Sequence, residues 1–242
     1  MRRHSLKLGA TIAAVATAFA MASATIAHAD TFTIESLGQN LNAAPAGSAV
    51  FTFQSDTAGT APTVENSTGA TGVTATFTGG NATVEDTSLA NVYLAPQGDT
   101  ASLASGGNNY LAVAYPNSAG TETIAFNKGF TEVGLYIGSI DTYNSITFLG
   151  TGGTTITGSQ ILAVTGGTSG DNANSDYVEF VDTTLGADIT GVQFTTPEAA
   201  FEIDNLSVAN GVPEPSTWTM ILIGFGLVGL QLRRRRVVEI NC

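Results

Sequence analysis

The feature that most constrains the fold is a series of short apolar bursts, with a period of two, along residues 30–211. Gly, Asn, Asp and Ser clusters separate the bursts, and the helical period of 3.6 is almost absent. The alternation is clearest where Ile146 and Phe148, or Val178 and Phe180, fall on one face of a strand. Strands with one apolar face bury it against a second sheet. The pattern therefore predicts an all-β domain built as an antiparallel two-sheet sandwich.

The bursts locate the individual strands, and no helix is expected among them. The predicted strands are Phe32–Ile34, Val50–Phe53, Val73–Phe77, Val92–Leu94, Tyr110–Tyr115, Thr123–Phe126, Glu132–Ile137, Ser145–Phe148, Thr154–Thr157, Tyr177–Val181, Gly191–Thr195 and Phe201–Val208. No linker divides residues 30–211, and the stretch is long enough for one core, so a single domain is expected.

Charge is distributed very unevenly along the chain. Lys128 is the only Lys or Arg in residues 30–211, whereas nearly all Asp and Glu residues lie there. A nucleic acid or an anionic membrane surface offers this acidic body no counter-charge, so neither is an expected partner of it. Solubility outside the cell is the simplest interpretation of the charge, and attraction of divalent cations is the alternative.

Residues 30–211 lack the usual groups of nucleophilic catalysis. The histidines are His4 and His28, and the single cysteine is Cys242. A Ser-His-Asp triad is therefore excluded from the body, and a zinc site there would consist of carboxylates alone. A glycoside hydrolase needs only two carboxylates, but the body has no Trp and few Tyr to form a sugar platform. The sequence predicts a protein that is not an enzyme.

One segment has the composition of a calcium site. Oxygen-bearing side chains crowd together at Asp171, Asn172, Asn174 and Asp176, and hard cations prefer such ligands. The segment is not an EF-hand, because Ala173 occupies the third position. The alternative is a polar turn between strands, in which Asp and Asn are favoured for conformational reasons. No other cofactor is predicted.

Thr-x-Thr steps occur at three places, Thr31 and Thr33, then Thr74, Thr76 and Thr78, then Thr155 and Thr157. Threonine is common on the outward face of strands. Because the steps are short and not periodic, the sequence predicts ordinary outward strand positions rather than a flat array of the kind that binds ice.

The C-terminal stretch, residues 212–236, contains three parts in a fixed order. A proline-flanked acid comes first, an apolar run follows, and a basic cluster ends it: Pro213, Glu214 and Pro215, then Trp218 to Leu232, then Arg233, Arg234, Arg235 and Arg236. The prolines keep the first part extended. As a helix the apolar run measures about 22 Å, and thinning of the bilayer and snorkelling arginines can adapt it to a hydrocarbon core of ~30 Å. A transmembrane helix with its arginine end in the cytoplasm is predicted.

This order resembles the PEP-CTERM sorting signal of Gram-negative bacteria that make exopolysaccharide, and Trp218, three places after Pro215, strengthens the resemblance. The resemblance implies that a membrane protease, exosortase, recognises Pro213, Glu214 and Pro215 and removes the tail. It also implies an inner-membrane intermediate, followed by the cell surface or the extracellular matrix. Residues 237–242 continue past the arginines, where such tails usually end, and are interpreted as a short cytoplasmic tail.

Two segments of the body carry a second resemblance. GSIDTYNSITFL, residues 138–149, and AFEIDNLSVA, residues 200–209, are similar to the C-terminal half of jelly-roll surface proteins that have this same tail. The closing segment is also common in carbohydrate-binding sandwiches. The resemblance implies a jelly-roll-like arrangement of the predicted sandwich.

Residues 1–29 have the pattern of a secretory signal peptide, with a basic start and an Ala-rich apolar run. Ala27 and Ala29 form a small-x-small cleavage site, so Asp30 is the expected first residue of the mature chain. The Sec translocon and signal peptidase are then expected partners. The combined prediction is an exported, exosortase-processed surface or matrix protein associated with exopolysaccharide. A lectin-like module, with calcium assistance, and an acidic-pair glycoside hydrolase remain alternatives.

Overall fold

The structure, a computed structural model, describes residues 31–90, 92–98, 109–115, 119–150, 152–184, 188–198, 200–210 and 225. The described chain forms two antiparallel sheets, one α-helix and a short 3-10 helix at Asn172–Asn174. The strands are β1 (Phe32–Ser36), β2 (Ala49–Phe51), β3 (Val64–Asn66), β4 (Thr68–Gly69), β5 (Thr74–Thr78), β6 (Ala82–Glu85), β7 (Tyr110–Val113), β8 (Gly120–Phe130), β9 (Glu132–Ile137), β10 (Ser145–Gly150), β11 (Thr154–Thr157), β12 (Asp176–Asp182), β13 (Ile189–Thr196) and β14 (Phe201–Ala209), and the helix is α1 (Gly158–Thr165).

The last strand, β14, joins the parts of the first sheet. That sheet has the order β1-β12-β9-β14-β2-β4, and β7, which pairs with β6, also pairs with the first residues of β14. The second sheet has the order β11-β10-β13-β8-β5-β3. The register along β14 shifts between Asp204 and Ser207, and Asn205 between them has a φ of 44°. This irregularity bends the strand that holds the first sheet together.

Both sheets contribute side chains to one core. The rings of Phe148 in β10 and Phe180 in β12 have centroids 5.1 Å apart, and those of Phe194 in β13 and Phe201 in β14 are 5.5 Å apart. These pairs cross from one sheet to the other, and all four residues are buried. Aromatic pairs at such distances add to the free energy gained by burying each ring. The described chain is therefore β-sandwich-like, and the predicted all-β antiparallel class is confirmed.

The predicted strands in the second half correspond closely to the observed ones, but the first half was less well predicted. The pattern missed β3, β4 and β6. Among the described residues around the predicted strand Val92–Leu94, the structure has only an isolated bridge, between Leu89 and Tyr93. Short strands carry few alternations, so a period of two is hard to recognise in them.

The expectation of no helix is wrong, because α1 follows β11 directly. Thr157 caps the helix through a capping box with Gln160, and Gly166 ends it at a φ of 74°. Within α1 the buried residues are Gly158 and Ile161. A helix of this length turns its apolar face to the core too few times for the 3.6-residue period to appear in the sequence.

Candidate functional site

A cleft of about 280 Å³ lies beside the first residues of β14. Its lining comes from four separate parts of the chain: Val92, Tyr93 and Leu94; Ser139, Asp141 and Tyr143; Gly170; and Ala200 and Glu202. A concave site with a few polar groups directed into it is the usual form of a ligand-binding site. We therefore describe this acidic cleft as the candidate site of the body.

Glu202 is the most buried carboxyl group of the acidic cleft, with an exposed fraction of 2 %. Its Oε1 accepts a hydrogen bond from the Leu94 amide at 2.9 Å, and its Oε2 accepts one from the Ser139 hydroxyl at 2.9 Å. Burial raises the pKa of Glu202 to about 7; the two donors lower it, and the charge of Asp141 raises it. Both protonation states of Glu202 are therefore populated near neutral pH.

Asp141 is the second carboxyl group of the cleft, and it is also buried. Burial raises its pKa, hydrogen bonds from Tyr143 and Ser169 lower it, and the charge of Glu198 raises it again. Burial, followed by the hydrogen bond to Asp141, raises the pKa of Tyr143 above its ordinary value. These groups present two carboxyls and a phenol within one small space, and none of the described residues that line the cleft carries a positive charge.

Two glycines leave room for Asp141. A Cβ at Gly158, the first residue of α1, would lie 1.8 Å from the Asp141 carbonyl oxygen. A Cβ at Gly170, where φ is +73°, would lie 2.9 Å from Asp141 Oδ1. The segment that carries Asp141 therefore packs directly against backbone on two sides, and this packing fixes the carboxyl group at the cleft.

Tyr93 lines the cleft and belongs to a cluster of tyrosines behind it. The ring of Tyr93 packs edge-on against Tyr115, with centroids 4.7 Å apart, and against Tyr110 at 6.4 Å. Its hydroxyl donates to Glu85 Oε2 at 3.1 Å, and burial together with Glu85 raises its pKa to about 12. Tyrosine rings beside carboxyl groups can contact a ligand that has both apolar faces and hydroxyl groups.

The structure places three of the predicted calcium ligands in a turn before β12. Asp171 caps the 3-10 helix by accepting from the Ala173 amide at 3.0 Å. The side-chain amides of Asn172 and Asn174 donate to backbone carbonyls in two other segments, at 3.1 and 3.2 Å. These are the hydrogen bonds of the polar turn that the sequence offered as the alternative.

The fourth predicted ligand, Asp176, faces a different segment. Its Oδ2 accepts from the Ser36 hydroxyl at 2.8 Å and its Oδ1 from the Gly38 amide at 3.0 Å. Over the described part of the chain, no three His, Cys, Asp or Glu side chains form a group that could hold a metal ion. The calcium site at residues 171–176 stays a prediction.

The predicted sorting and processing residues lie outside the described residues. They are Ala27, Ala29 and Asp30 at the front and Pro213, Glu214, Pro215, Trp218, Arg233, Arg234, Arg235 and Arg236 at the back. None of the helices within the described ranges combines the length and the apolarity that crossing a membrane requires.

The comparison with protein families identifies the tail. The model of the PEP-CTERM protein-sorting motif matches residues 211–236, so the resemblance stated from the sequence is confirmed. Neither the comparison with curated proteins nor the comparison with solved structures finds a match. The chain thus joins a β-sandwich-like body to a PEP-CTERM sorting motif, which implies recognition by exosortase and sorting to the bacterial cell surface.

No motif in the sequence indicates the acidic cleft. Ser139, Asp141 and Tyr143 lie in the segment GSIDTYN, and Glu202 lies in AFEID, but in the sequence both segments indicate only the fold. Their side chains come together because β14 pairs beside β9 near the start of the β9–β10 connection. The spacing of residues within either segment does not predict that pairing.

Proposed function

We propose that this chain is an exported surface or matrix protein that exosortase processes and that associates with extracellular polysaccharide without catalysing a reaction. The PEP-CTERM match at residues 211–236 carries the proposal. An acidic body with a single Lys supports it, because such a body stays soluble and does not adhere to anionic cell surfaces. Passage through an inner-membrane intermediate in a Gram-negative bacterium is part of the same proposal.

We also propose that the two sheets have jelly-roll-like connections. From β7 to β10, and again from β11 to β14, consecutive strands alternate between the first and the second sheet. Alternation of this kind is typical of double-sheet jelly rolls, which surface and lectin domains use. The arrangement supports a binding module as the cargo of the sorting motif.

The sorting proposal is tested in the bacterium that produces the protein. We expect deletion of the exosortase gene, or the double substitution Pro213→Ala and Glu214→Ala, to leave the protein in the inner-membrane fraction. The unchanged chain in exosortase-positive cells should appear at the surface or in the medium. A protein that reaches the surface equally well in all three strains would contradict the proposal.

A second candidate function is lectin-like binding of a sugar in the acidic cleft. Tyr93 and Tyr143 in the lining and the buried Glu202 favour it, because sugar rings pack on aromatic side chains while carboxyl groups accept hydrogen bonds from sugar hydroxyls. A glycan array probed with the full chain, with and without a chelator, tests this function and its dependence on calcium. Loss of a glycan signal in Tyr143→Ala supports cleft binding, and silence on all glycans contradicts it.

The same experiment separates binding from catalysis. Each glycan that binds is incubated with the protein and analysed for shorter products. We expect none, because the proposal is non-enzymatic. Shorter products that disappear with Glu202→Gln would instead identify an acidic-pair hydrolase.

A further inference from the structure

The outer face of the second sheet carries no charged side chain at its paired positions. Residues opposite one another in register point to the same side of a sheet, so the register defines this face. Its members are Thr155 and Thr157 in β11, Ser145, Thr147 and Leu149 in β10, Gly191, Gln193 and Thr195 in β13, Thr121, Thr123 and Ala125 in β8, Thr74, Thr76 and Thr78 in β5, and Val64 and Asn66 in β3. We call this surface the hydroxyl face.

The hydroxyl face contains a row of polar side chains that crosses five strands. Thr155, Thr147, Gln193, Thr123 and Thr78 lie directly opposite one another in that order. The hydroxyls of Thr147 and Thr155 are 2.8 Å apart, and Gln193 Nε2 donates to Thr123 Oγ1 at 3.0 Å. Each hydroxyl has one donor and two acceptor positions. These bonds orient the row and leave hydrogen-bonding capacity for a ligand.

The outer face of the first sheet has the opposite character. Glu35 in β1 and Glu179 in β12 lie directly opposite each other, and burial together with the neighbouring Glu132 raises the pKa of Glu179 to about 8. The molecule therefore has an acidic face on its first sheet and, at the paired positions of its second sheet, a neutral one. The neutral face offers no counter-charge to an acidic polymer, and the negative charge of the body repels such a polymer.

The size of the hydroxyl face argues against a second copy of the chain as its occupant. Each outward residue covers about 4.8 Å across the strands by about 6.6 Å along them, so the sixteen members of the face have a footprint of about 500 Å². This footprint is below the ~800 Å² that each partner buries in a stable interface. The face suits a thinner ligand than a folded protein.

The shape of the hydroxyl face argues against a crystal surface such as ice. Adjacent strands rotate by about 20° relative to one another, so six strands accumulate about 100° of twist. A twisted row of hydroxyls does not match a flat lattice, whereas a flexible polymer can follow it. The ligand that fits is uncharged, flexible and rich in hydroxyl groups.

We propose that the hydroxyl face binds a strand of uncharged polysaccharide, whose hydroxyl groups exchange hydrogen bonds with the threonine and glutamine side chains of the row. The inference rests on the proposed association with extracellular polysaccharide and adds the surface that binds and the charge class of the polymer. It is independent of sugar binding in the acidic cleft.

The test uses the full chain in detergent and affinity gel electrophoresis. The gels contain hydroxyethylcellulose, carboxymethylcellulose, dextran, a neutral mannan or the extracellular polysaccharide of the producing bacterium. The row variant combines Thr123→Val and Thr147→Val, which remove hydroxyls, keep the shape and suit a strand. The control variant combines Thr33→Val and Thr57→Val, both exposed and outside the hydroxyl face.

We expect at least one neutral polymer and the bacterial polysaccharide to retard the unchanged chain and the control variant, with carboxymethylcellulose retarding neither. The row variant should bind at least tenfold more weakly with an unchanged melting temperature. If the row variant does not fold, Thr76→Val, at an exposed position of the same face, should weaken binding by a few-fold.

Three results would overturn the inference. Equal binding of the bacterial polysaccharide by the row variant would place the contact elsewhere and leave the proposed association intact. Absence of binding to every polymer would contradict the association as well. A dimer in sedimentation experiments that the row variant abolishes would show that a second copy occupies the face.

Discussion

Replacing Glu202 by Gln tests whether one buried carboxyl group makes the protein less stable as the pH rises. The pKa of Glu202 is about 7 in the folded protein, against an ordinary value of 4.5. The stabilisation from this group is fully present below pH 4.5 and is lost as the pH rises through about 7, because the folded state holds the proton more tightly than the unfolded chain. At 1.36 kcal/mol per pKa unit, the difference amounts to about 3 kcal/mol.

The Gln side chain keeps the contacts of Glu202 without the titration. Its Oε1 can accept from the Leu94 amide, and its amide group can donate to the Ser139 hydroxyl, which then acts as the acceptor. The variant and the unchanged protein should therefore have similar stability at pH 4.5. At pH 8.5 the variant should be more stable by about 3 kcal/mol. Other titrating groups are present in both proteins and cancel in the comparison.

The assay is urea unfolding at pH 4.5, 6, 7 and 8.5, with the free energy of unfolding compared between the two proteins. Glu198→Gln is the matched control, because it removes the same charge from an exposed position near the cleft. We expect the control to show no pH-dependent difference of this size. Parallel pH profiles for the unchanged protein and Glu202→Gln would show that Glu202 does not hold its proton more tightly in the folded state.

Three further changes test the fold. Thr157→Ala removes the capping box that Thr157 forms with Gln160, and urea unfolding should show a loss of about 1 kcal/mol; no loss would mean that α1 does not depend on its cap. Phe194→Ala should cost about 3–5 kcal/mol because the ring lies fully buried between the sheets, and a cost below 1 kcal/mol would place it outside the core. Glu179→Gln should raise the melting temperature above pH 8, where the carboxyl group beside Glu132 ionises, and an unchanged melting temperature would contradict that pairing.

The sequence predicted those strands whose alternation follows the simple rule of apolar side chains inside. Ile146 and Phe148 in β10 follow it, and both are buried. The missed strand β3 reverses the rule, because Val64 is 55 % exposed whereas Glu65 is 7 % exposed. Burial and the neighbouring Asp56 raise the pKa of Glu65 to about 8, so its carboxyl group can be buried in the protonated form. A pattern of apolar and polar residues does not reveal a strand in which the polar residue is buried and the apolar residue is exposed.

The tail could be predicted from the sequence whereas the cleft could not, and this difference has a similar physical origin. The sorting motif is contiguous, so its prolines, apolar run and arginines can be recognised without any folding. The acidic cleft exists only after β14 has paired, which brings Glu202 to Ser139, 63 residues apart along the chain. The hydroxyl face likewise requires the register of six strands, although each Thr-x-Thr step was visible on its own. Contacts between distant segments depend on which strands pair and in which register, and local sequence patterns do not specify either.

The intact mass of the protein recovered from the cell surface or the medium shows whether the tail is a disposable sorting signal. We expect a chain that ends near Pro213 and lacks the apolar run and the arginines. Recovery of a surface form that still contains Cys242 would show that the tail is not removed.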